Sequence, residues 1–423
     1  MSEKRNIVLI TLDSVRADHC SFMGYHRKTT PTIDKMAREG LYFENAIAAS
    51  VDTPQSMFSI FTGEYPLIEY DNRVPKVWER EFRYRKTLAE TLLDIGYTTY
   101  GIHANPSLSR YAGYNKGFKY YEDFLQYQEN FFHRILNKIF SLLGFSTLAD
   151  CIIGCGPATN WEKIFKTLRE LNVKASQPFF IWILLLDTHM PYLPPQKARR
   201  FSTLLEVLQT NWSVSREARK GKVFDRKWRD SLINVYDDCI ASADNFIMLC
   251  WEYLQDSDPI FIIHADHGEG FYEHGFYGHY HPLLYEELIH VPLVIYNADV
   301  KGKVEEPVSL LGIAPTILEL IGEKNEFPSK SFLRGGDDWV ISKIFDGVKW
   351  RIAVRTKRWK FIRGQNEVDE LYDLKEDPYE QENVVTNYPD LAKEMKKIVE
   401  SHVKQEIERR KIRDILKIKK TLL

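Results

Sequence analysis

Four stretches of this chain are almost continuously apolar: Ile7–Leu12, Phe179–Leu186, Ile260–His264 and Val291–Tyr296. A strand with one wet face alternates apolar and polar residues, whereas a strand covered on both faces does not. Helical patterns lie between the runs. Thr30-Pro31 opens one that ends at Gly40, and others span Lys86–Gly96, about Arg226 to Gln255, and Leu311–Gly322. Strands alternating with helices predict an α/β fold, a doubly wound, mostly parallel sheet with helices on both faces. In such sheets the ligand crevice lies at the carboxyl ends of the strands, where Asp13, Asp187 and Asp266 fall.

From Trp350 the texture changes to alternation (RIAVRTKRWKFIRG), then to a turn-rich acidic stretch, then to a helix from Asp390. The expected organisation is a large catalytic domain over residues 1–345, a small α+β subdomain over 346–390 and a basic amphipathic helix over 391–423. Between Lys404 and Leu423 there are eight Lys/Arg against three acids, with isoleucines and Leu416 interleaved. Such a helix packs on its own domain or makes a weak contact with a membrane surface or a second copy of the chain. With 57 Lys/Arg against 59 Asp/Glu, no global field favours nucleic acid as a partner. Five cysteines, of which only Cys151 and Cys155 are close in sequence, indicate neither a disulfide framework nor a CxxC metal site. The apolar run after the charged N-terminus is too short for a signal segment, so a cytoplasmic location is expected.

Three separated segments set metal-competent or anion-competent groups after predicted strands: ITLDSVRADH, LLLDTHMPYLPP and IIHADHGEGFYEHGFYGH. Asp266-His267 puts a carboxylate beside an imidazole, and Asp13 can add a second carboxylate to a four-coordinate divalent site. Thr53, followed by Pro54 and a helix-compatible run to Gly63, falls at a helix N-terminus. There it is either the cap or a fourth ligand, whose hydroxyl a metal would acidify into a nucleophile.

The sequence resembles the sulfatase branch of the alkaline phosphatase superfamily. The likeness runs through NIVLITLDSVRADHCSFMGY, TTPTIDKMAREGLYFENAIAAS, FSIFTGEYP, TLAETLLDIGYTT, DTHMPYLPP, ADHGEGFYEHGFYGH, LYEELIHVPLVI, IAPTILELIG and ELYDLKEDPYEQENV. It implies a doubly wound α/β sheet with a smaller C-terminal domain, acting on sulfate, phosphate or phosphonate esters at a divalent metal. It further implies that Asp13, Asp266 and His267 bind the metal and that Thr53 stands where the nucleophile stands. His189 resembles the histidine that contacts the ester group or protonates the leaving oxygen. His279 falls where sulfatases tend to have lysine, and would act as an electrophile or a second-metal ligand.

Departures from the family pattern shape the expected chemistry. Formylglycine-forming sulfatases carry a CxPxR signature, and here the stretch is Thr53-Pro54-Gln55-Ser56-Met57, so no formylglycine is expected. The usual Asp-Asp pair is Asp13-Ser14, and the lysine/histidine cluster after GYxT is Gly101-Ile102-His103-Ala104-Asn105, which leaves Asn105 as a substrate contact. Oxygen ligands mixed with one imidazole favour Zn²⁺ or Mn²⁺, with Ca²⁺ or Mg²⁺ as alternatives. A second ion would require Asp187, His189 and His279 to converge. The expected function is hydrolysis of a small-molecule or glycan anionic ester through Thr53. The alternatives are a phosphotransferase acting on a sugar or lipid alcohol, and a non-catalytic metal-stabilised scaffold. The aromatics Tyr120, Tyr121, Phe124, Tyr127, Phe131 and Phe132 are assigned to packing ahead of substrate stacking.

Overall fold

The computed structural model describes residues 4–66, 76–124, 161–217, 226–279, 282–345 and 349–421. The principal elements, in chain order, are β1 (Ile7–Leu12), α1 (Pro31–Glu39), β2 (Leu41–Phe43), α2 (Thr53–Thr62), α3 (Leu88–Asp94), β3 (Thr98–His103), β4 (Tyr120–Glu122), β5 (Phe179–Leu185), α4 (Leu204–Glu217), α5 (Arg226–Leu254), β6 (Ile260–Ala265), β7 (Leu293–Tyr296), β8 (Gly302–Val304) and α6 (Ile313–Leu320). They are followed by β9 (Trp339–Phe345), β10 (Trp350–Thr356), β11 (Trp359–Gly364), β12 (Glu370–Asp373) and α7 (Pro389–Thr421).

Eight strands form one sheet in the order β8-β2-β7-β6-β1-β5-β3-β4. All neighbours are parallel except β7, which runs antiparallel to β6 and β2. Every residue of β1, β5 and β6 is buried, so both faces of the sheet centre are covered, as their unbroken apolar runs require. The four apolar runs are therefore strands, although Pro292 divides the last into a short bridge and β7.

The position of β1 between β5 and β6 decides where chemistry can occur. Leu12 pairs in register with Leu185 on one side and Ala265 on the other. The residues that follow, Asp13, Leu186 and Asp266, thus leave the same sheet edge side by side, the crevice geometry of open α/β sheets.

β9 to β12 form a separate antiparallel sheet. It begins at Trp339, ahead of the boundary expected at residue 345, because β9 and β10 are the two arms of one hairpin. The small sheet is not an outlying appendage. Ser342 donates its hydroxyl to the Ala48 carbonyl, the Lys343 N–H donates to the Ala49 carbonyl at 2.9 Å, and Gln55 Nε2 donates to the Phe345 carbonyl at 3.3 Å. β9 therefore buttresses the segment that leads into α2. On the other face of this sheet, Ala392, Met395 and Val399 of α7 are buried against Ile352, Val354 and Phe361. Farther along α7, Glu406 forms a buried ion pair with Lys343. The C-terminal helix thus packs on its own domain over this length. No helix among the described residues is long and apolar enough to cross a membrane.

Candidate active site

The segment after β1 turns sharply. Ser14 is held at φ 64°, a left-handed conformation uncommon outside glycine. That conformation lets its N–H donate to Asp266 Oδ1 at 3.2 Å while its hydroxyl donates to Asp13 Oδ1 at 2.9 Å, joining the two carboxylates through one residue. Thr188 donates its hydroxyl to the Asp13 carbonyl at 2.5 Å and fixes the same turn from the β5 side. After β6, Gly268 allows the chain to pass against its neighbour, since a Cβ there would lie 2.0 Å from the Glu287 carbonyl oxygen.

Asp13, Asp266 and His267 are fully buried, and one ligand atom from each lies within 4.8 Å of the others. His267 Nδ1 faces the Gly268 carbonyl at 2.8 Å, and a carbonyl only accepts, so the proton sits on Nδ1. Nε2 is the nitrogen left for a cation, 3.9 Å from Asp13 Oδ1 and 3.6 Å from Asp266 Oδ2; burial opposes charge on this imidazole, but Asp266 and Asp13 outweigh it and raise its pKa. A backbone carbonyl that fixes the tautomer in this way is a common outer partner of a metal-bound histidine.

The electrostatics describe a place short of positive charge. Burial opposes ionisation of Asp13, but His189, His267, His279 and the Ser14 hydroxyl outweigh it and hold that carboxyl below its ordinary value. Asp266 is pushed up to about 6 by burial, with Asp13 adding to the rise and His267 opposing it. Asp266 Oδ2 is buried and accepts no hydrogen bond of normal geometry among the described residues. An orphaned carboxylate oxygen beside a second carboxylate and an imidazole Nε2 fits a divalent cation.

Thr53 completes the group. Its hydroxyl lies 3.4 Å from Asp13 Oδ2 and 3.2 Å from His267 Nε2. The cap that the sequence allowed for Thr53 belongs instead to Asp52, whose carboxylate accepts the Gln55 N–H at 2.7 Å. Thr53 is the first helical residue, and Pro54, which lacks an N–H, costs nothing there. Relieved of capping, the Thr53 hydroxyl is turned toward the carboxylates.

Asn105 donates Nδ2 to Asp13 Oδ2 at 3.0 Å and accepts the Ser107 N–H at 2.9 Å. It therefore touches Asp13 directly. His189 and His279 also reach the site, with ring centroids 5.2 Å apart, and the His279 ring lies 4.4 Å from that of His267. His189 Nδ1 faces the Met190 carbonyl at 2.6 Å. Asp187 does not join them. It accepts the Trp161 N–H at 3.4 Å, its other oxygen has no partner among the described residues, and burial pushes its carboxyl up to about 7.

A family model described as Sulfatase matches residues 5–323. The chain belongs to the sulfatase family. Membership carries the enzyme class with it, a sulfate- or phosphate-ester hydrolase. This sulfatase-family chain is 25% identical to an arylsulfatase of Clostridium perfringens over 91% of each chain. It is 26% identical to human arylsulfatase K over 55% of this chain and 53% of the human one. Among solved structures, the phosphonate monoester hydrolase of Agrobacterium radiobacter superposes with a TM-score of 0.69 at 19% identity, covering 95% of this chain and 96% of that one. A protein solved with its substrate D-glucosamine-2-N,6-O-disulfate superposes with a TM-score of 0.65 at 18% identity, covering 96% and 99%. These likenesses establish a shared fold.

Glu269, Tyr192 and Ser14 have parts in this sulfatase-family site that the sequence did not announce. Glu269 is buried, and its Oε1 lies 2.8 Å from His279 Nδ1. Tyr192 donates to its Oε2 at 2.9 Å. An acid directly after Asp-His-Gly, with a histidine downstream, was the available signal. The aromatic residues after β3 serve packing: Tyr100 and Tyr120 stack at 4.9 Å, and Tyr121 donates its hydroxyl to the Leu108 carbonyl at 2.5 Å. Tyr127, Phe131 and Phe132 lie outside the described residues, as do Cys151 and Cys155. Cys20, Cys239 and Cys250 are buried free thiols.

Proposed function

We propose that this protein hydrolyses phosphate, phosphonate or sulfate esters through Thr53, with a divalent cation held by Asp13, Asp266, His267 and the Thr53 hydroxyl. The observation that carries the reading is the convergence of two buried carboxylates, an imidazole Nε2 and one hydroxyl, with Asp266 Oδ2 lacking a well-formed hydrogen bond among the described residues. Oxygen donors with one nitrogen suit Zn²⁺ or Mn²⁺. When bound, such an ion supplies Lewis acidity, lowering the pKa of a hydroxyl and offsetting charge on the ester oxygens.

The remaining steps belong to the protein's own groups. Thr53, its hydroxyl proton lost to solvent, forms a bond from Oγ to phosphorus or sulfur as the bond to the departing ester oxygen breaks. His189, whose Nδ1 is tied to the Met190 carbonyl, offers Nε2 to protonate that oxygen. Asn105 donates to the nonbridging oxygens, and His279, whose Nδ1–H is held by Glu269, joins it through Nε2–H when the ring is protonated. Water then cleaves the Thr53 ester and regenerates the hydroxyl. Threonine has no route to a formylglycine hydrate, which favours phosphorus esters over sulfate esters.

The test is turnover of p-nitrophenyl phosphate, bis-p-nitrophenyl phosphate, a p-nitrophenyl phosphonate and p-nitrophenyl sulfate, with Zn²⁺ or Mn²⁺ added. Faster turnover of a phosphorus ester than of the sulfate supports the reading. No turnover of any of them by metal-loaded protein overturns it.

A further inference from the structure

Residues 269–279 form a small hairpin whose base carries the Glu269–His279 pair. Gly270 and Gly278 exchange both backbone bonds, at 3.3 and 2.9 Å, the Tyr272 N–H donates to the Phe276 carbonyl at 2.8 Å, and Phe271 bridges Tyr277. Glu269 and His279 are the next residues outward from that closed pair, so the path of the hairpin sets how they meet. Its tip is held at two points, Glu273 and His274.

The first anchor keeps its charge. Glu273 Oε1 pairs with Arg16 Nη1 at 2.6 Å and with Arg229 Nη2 at 3.0 Å. Burial opposes the charge on Glu273, but Arg16 outweighs it and holds the carboxyl down to about 2, so this anchor does not titrate near neutrality.

The second anchor is His274. Its Nδ1 lies 2.6 Å from Glu287 Oε1, and its Nε2 lies 3.1 Å from the Glu380 carbonyl oxygen. A carboxylate and a carbonyl both accept, so each ring nitrogen faces an acceptor and both carry a proton. The Gln381 amide nitrogen stands farther from Nε2, at 3.5 Å, and donates to the Tyr379 carbonyl at 2.7 Å. The His274 ring lies flat on Tyr285, with centroids 3.6 Å apart and planes 7° from parallel, a placement that suits a cation on an aromatic face. The charged and titratable groups around it are Glu287 on the short helix Glu286–Ile289, Glu380, which pairs with Lys360 at 2.8 Å, and Tyr285, which donates to Glu370 at 3.0 Å. Burial pushes the Glu380 carboxyl up, with Lys360 opposing, but His274 uses the Glu380 backbone carbonyl, which does not titrate. Burial also opposes charge on His274 itself, and Glu287 and Glu380 outweigh it and raise its pKa.

We propose that His274 is a positioning residue that acts as an imidazolium: charged, it pins the hairpin tip to Glu287 and Glu380 and so holds Glu269 and His279 in place at the base, and neutral, it must release one of the two. Its effect on turnover rests on the ester-hydrolase reading, whereas its charge state does not. Because the folded value lies above the ordinary 6.5, the tie is complete well below that pH and is lost as pH rises through the raised value.

The experiment is a long-range ¹H–¹⁵N correlation spectrum of the full-length protein carrying ¹⁵N-histidine, recorded across pH, with His274 assigned from the signal missing in His274→Gln. The titration midpoint of His274 is expected above 6.5, with both nitrogens protonated below it. Amide exchange of the peptide spanning residues 270–278, corrected for the intrinsic effect of pH, should accelerate as that proton leaves, and His274→Gln should exchange fast throughout. With p-nitrophenyl phosphate, His274→Gln should lower kcat by about tenfold and lose the part of the pH profile that follows the His274 titration. His274→Lys, which stays charged, should recover part of the rate at alkaline pH. If His274→Gln does not fold, Glu287→Gln takes its place and should move the titration and the exchange transition to lower pH. A His274 midpoint at or below 6.5 overturns the proposal, as does His274→Gln with wild-type exchange in the hairpin. The spectrum and the exchange need no turnover, so inactivity on every ester would sink the hydrolase reading and leave this test intact.

Discussion

His279 Nδ1 and Glu269 Oε1 lie 2.8 Å apart in a buried pair, and Tyr192 occupies the other carboxylate oxygen. Burial and the neighbouring histidines lower the pKa of the His279 imidazole, while Glu269 acts in the opposite sense. The carboxylate therefore fixes which ring nitrogen bears the proton and which way the ring points. Glu269→Ala is expected to lower kcat by about 10- to 100-fold, the usual effect of losing an outer partner of a working histidine. Glu269→Gln, which can still accept from Nδ1, should recover part of the loss. Steady-state kinetics of the two variants on one monoester checks this, and equal activity of Glu269→Ala and wild type would remove Glu269 from the site.

Thr53→Ala removes the only hydroxyl within reach of both Asp13 and His267 among the described residues. Turnover should fall by at least about a thousandfold, because nucleophile and cation act as one unit. Thr53→Ser keeps the oxygen and should retain most of the activity. A burst experiment with wild type should trap phosphate or sulfate on residue 53, detectable by mass spectrometry of the peptide.

Chelation offers a measurement independent of turnover. Asp13 and Asp266 are buried together, and burial and the Asp13 charge raise the cost of ionising Asp266. Dialysis against a chelator should lower the thermal midpoint, and Zn²⁺ or Mn²⁺ should restore it, because an ion that binds only the folded state stabilises it, by about 2.7 kcal/mol at a hundred times Kd. Asp266→Asn should abolish that response. A midpoint indifferent to both chelator and metal would show that these side chains hold no ion.

The buried pair between α7 and β9 gives a pH prediction. Burial opposes the Glu406 charge, but Lys343 and His402 outweigh it and hold the carboxyl down to about 2. A carboxylate with a depressed folded value contributes stability that is complete above its ordinary value of 4.5 and is lost as pH falls toward 2. Glu406→Gln removes the Glu406 charge from buried Lys343 and should cost about 3 kcal/mol at neutral pH. Urea denaturation should show the gap between variant and wild type narrowing below pH 4.5. A gap unchanged between neutral pH and pH 3.5 would assign the cost to packing.

Much of this architecture was legible because burial on both faces leaves a plain mark. Ile7–Leu12 and Arg226–Leu254 fall where their apolar run and helical period predicted. Strand direction left no such mark: β7 is as apolar as β1 yet runs the other way, since covering a strand constrains its side chains and not its sense. Asp13, Thr53, Asp266 and His267 were readable as chemistry-bearing types after strands or at a helix start. Glu269 was not, because its role depends on where His279 returns in space. The exchange between Asp52 and Thr53 was hidden for a similar reason, as both can cap a helix and only the turn's path decides.

The contacts from Ser342, Lys343 and Phe345 to the strand-to-helix turn at Ala48–Gln55 have a practical bearing on attempts to shorten this protein. A fragment ending before Trp339 would keep the whole eight-stranded sheet and all four groups proposed to hold the ion. It would nevertheless lose the brace behind residue 53. Miniaturisation must start elsewhere, with both sheets retained as one indivisible catalytic body.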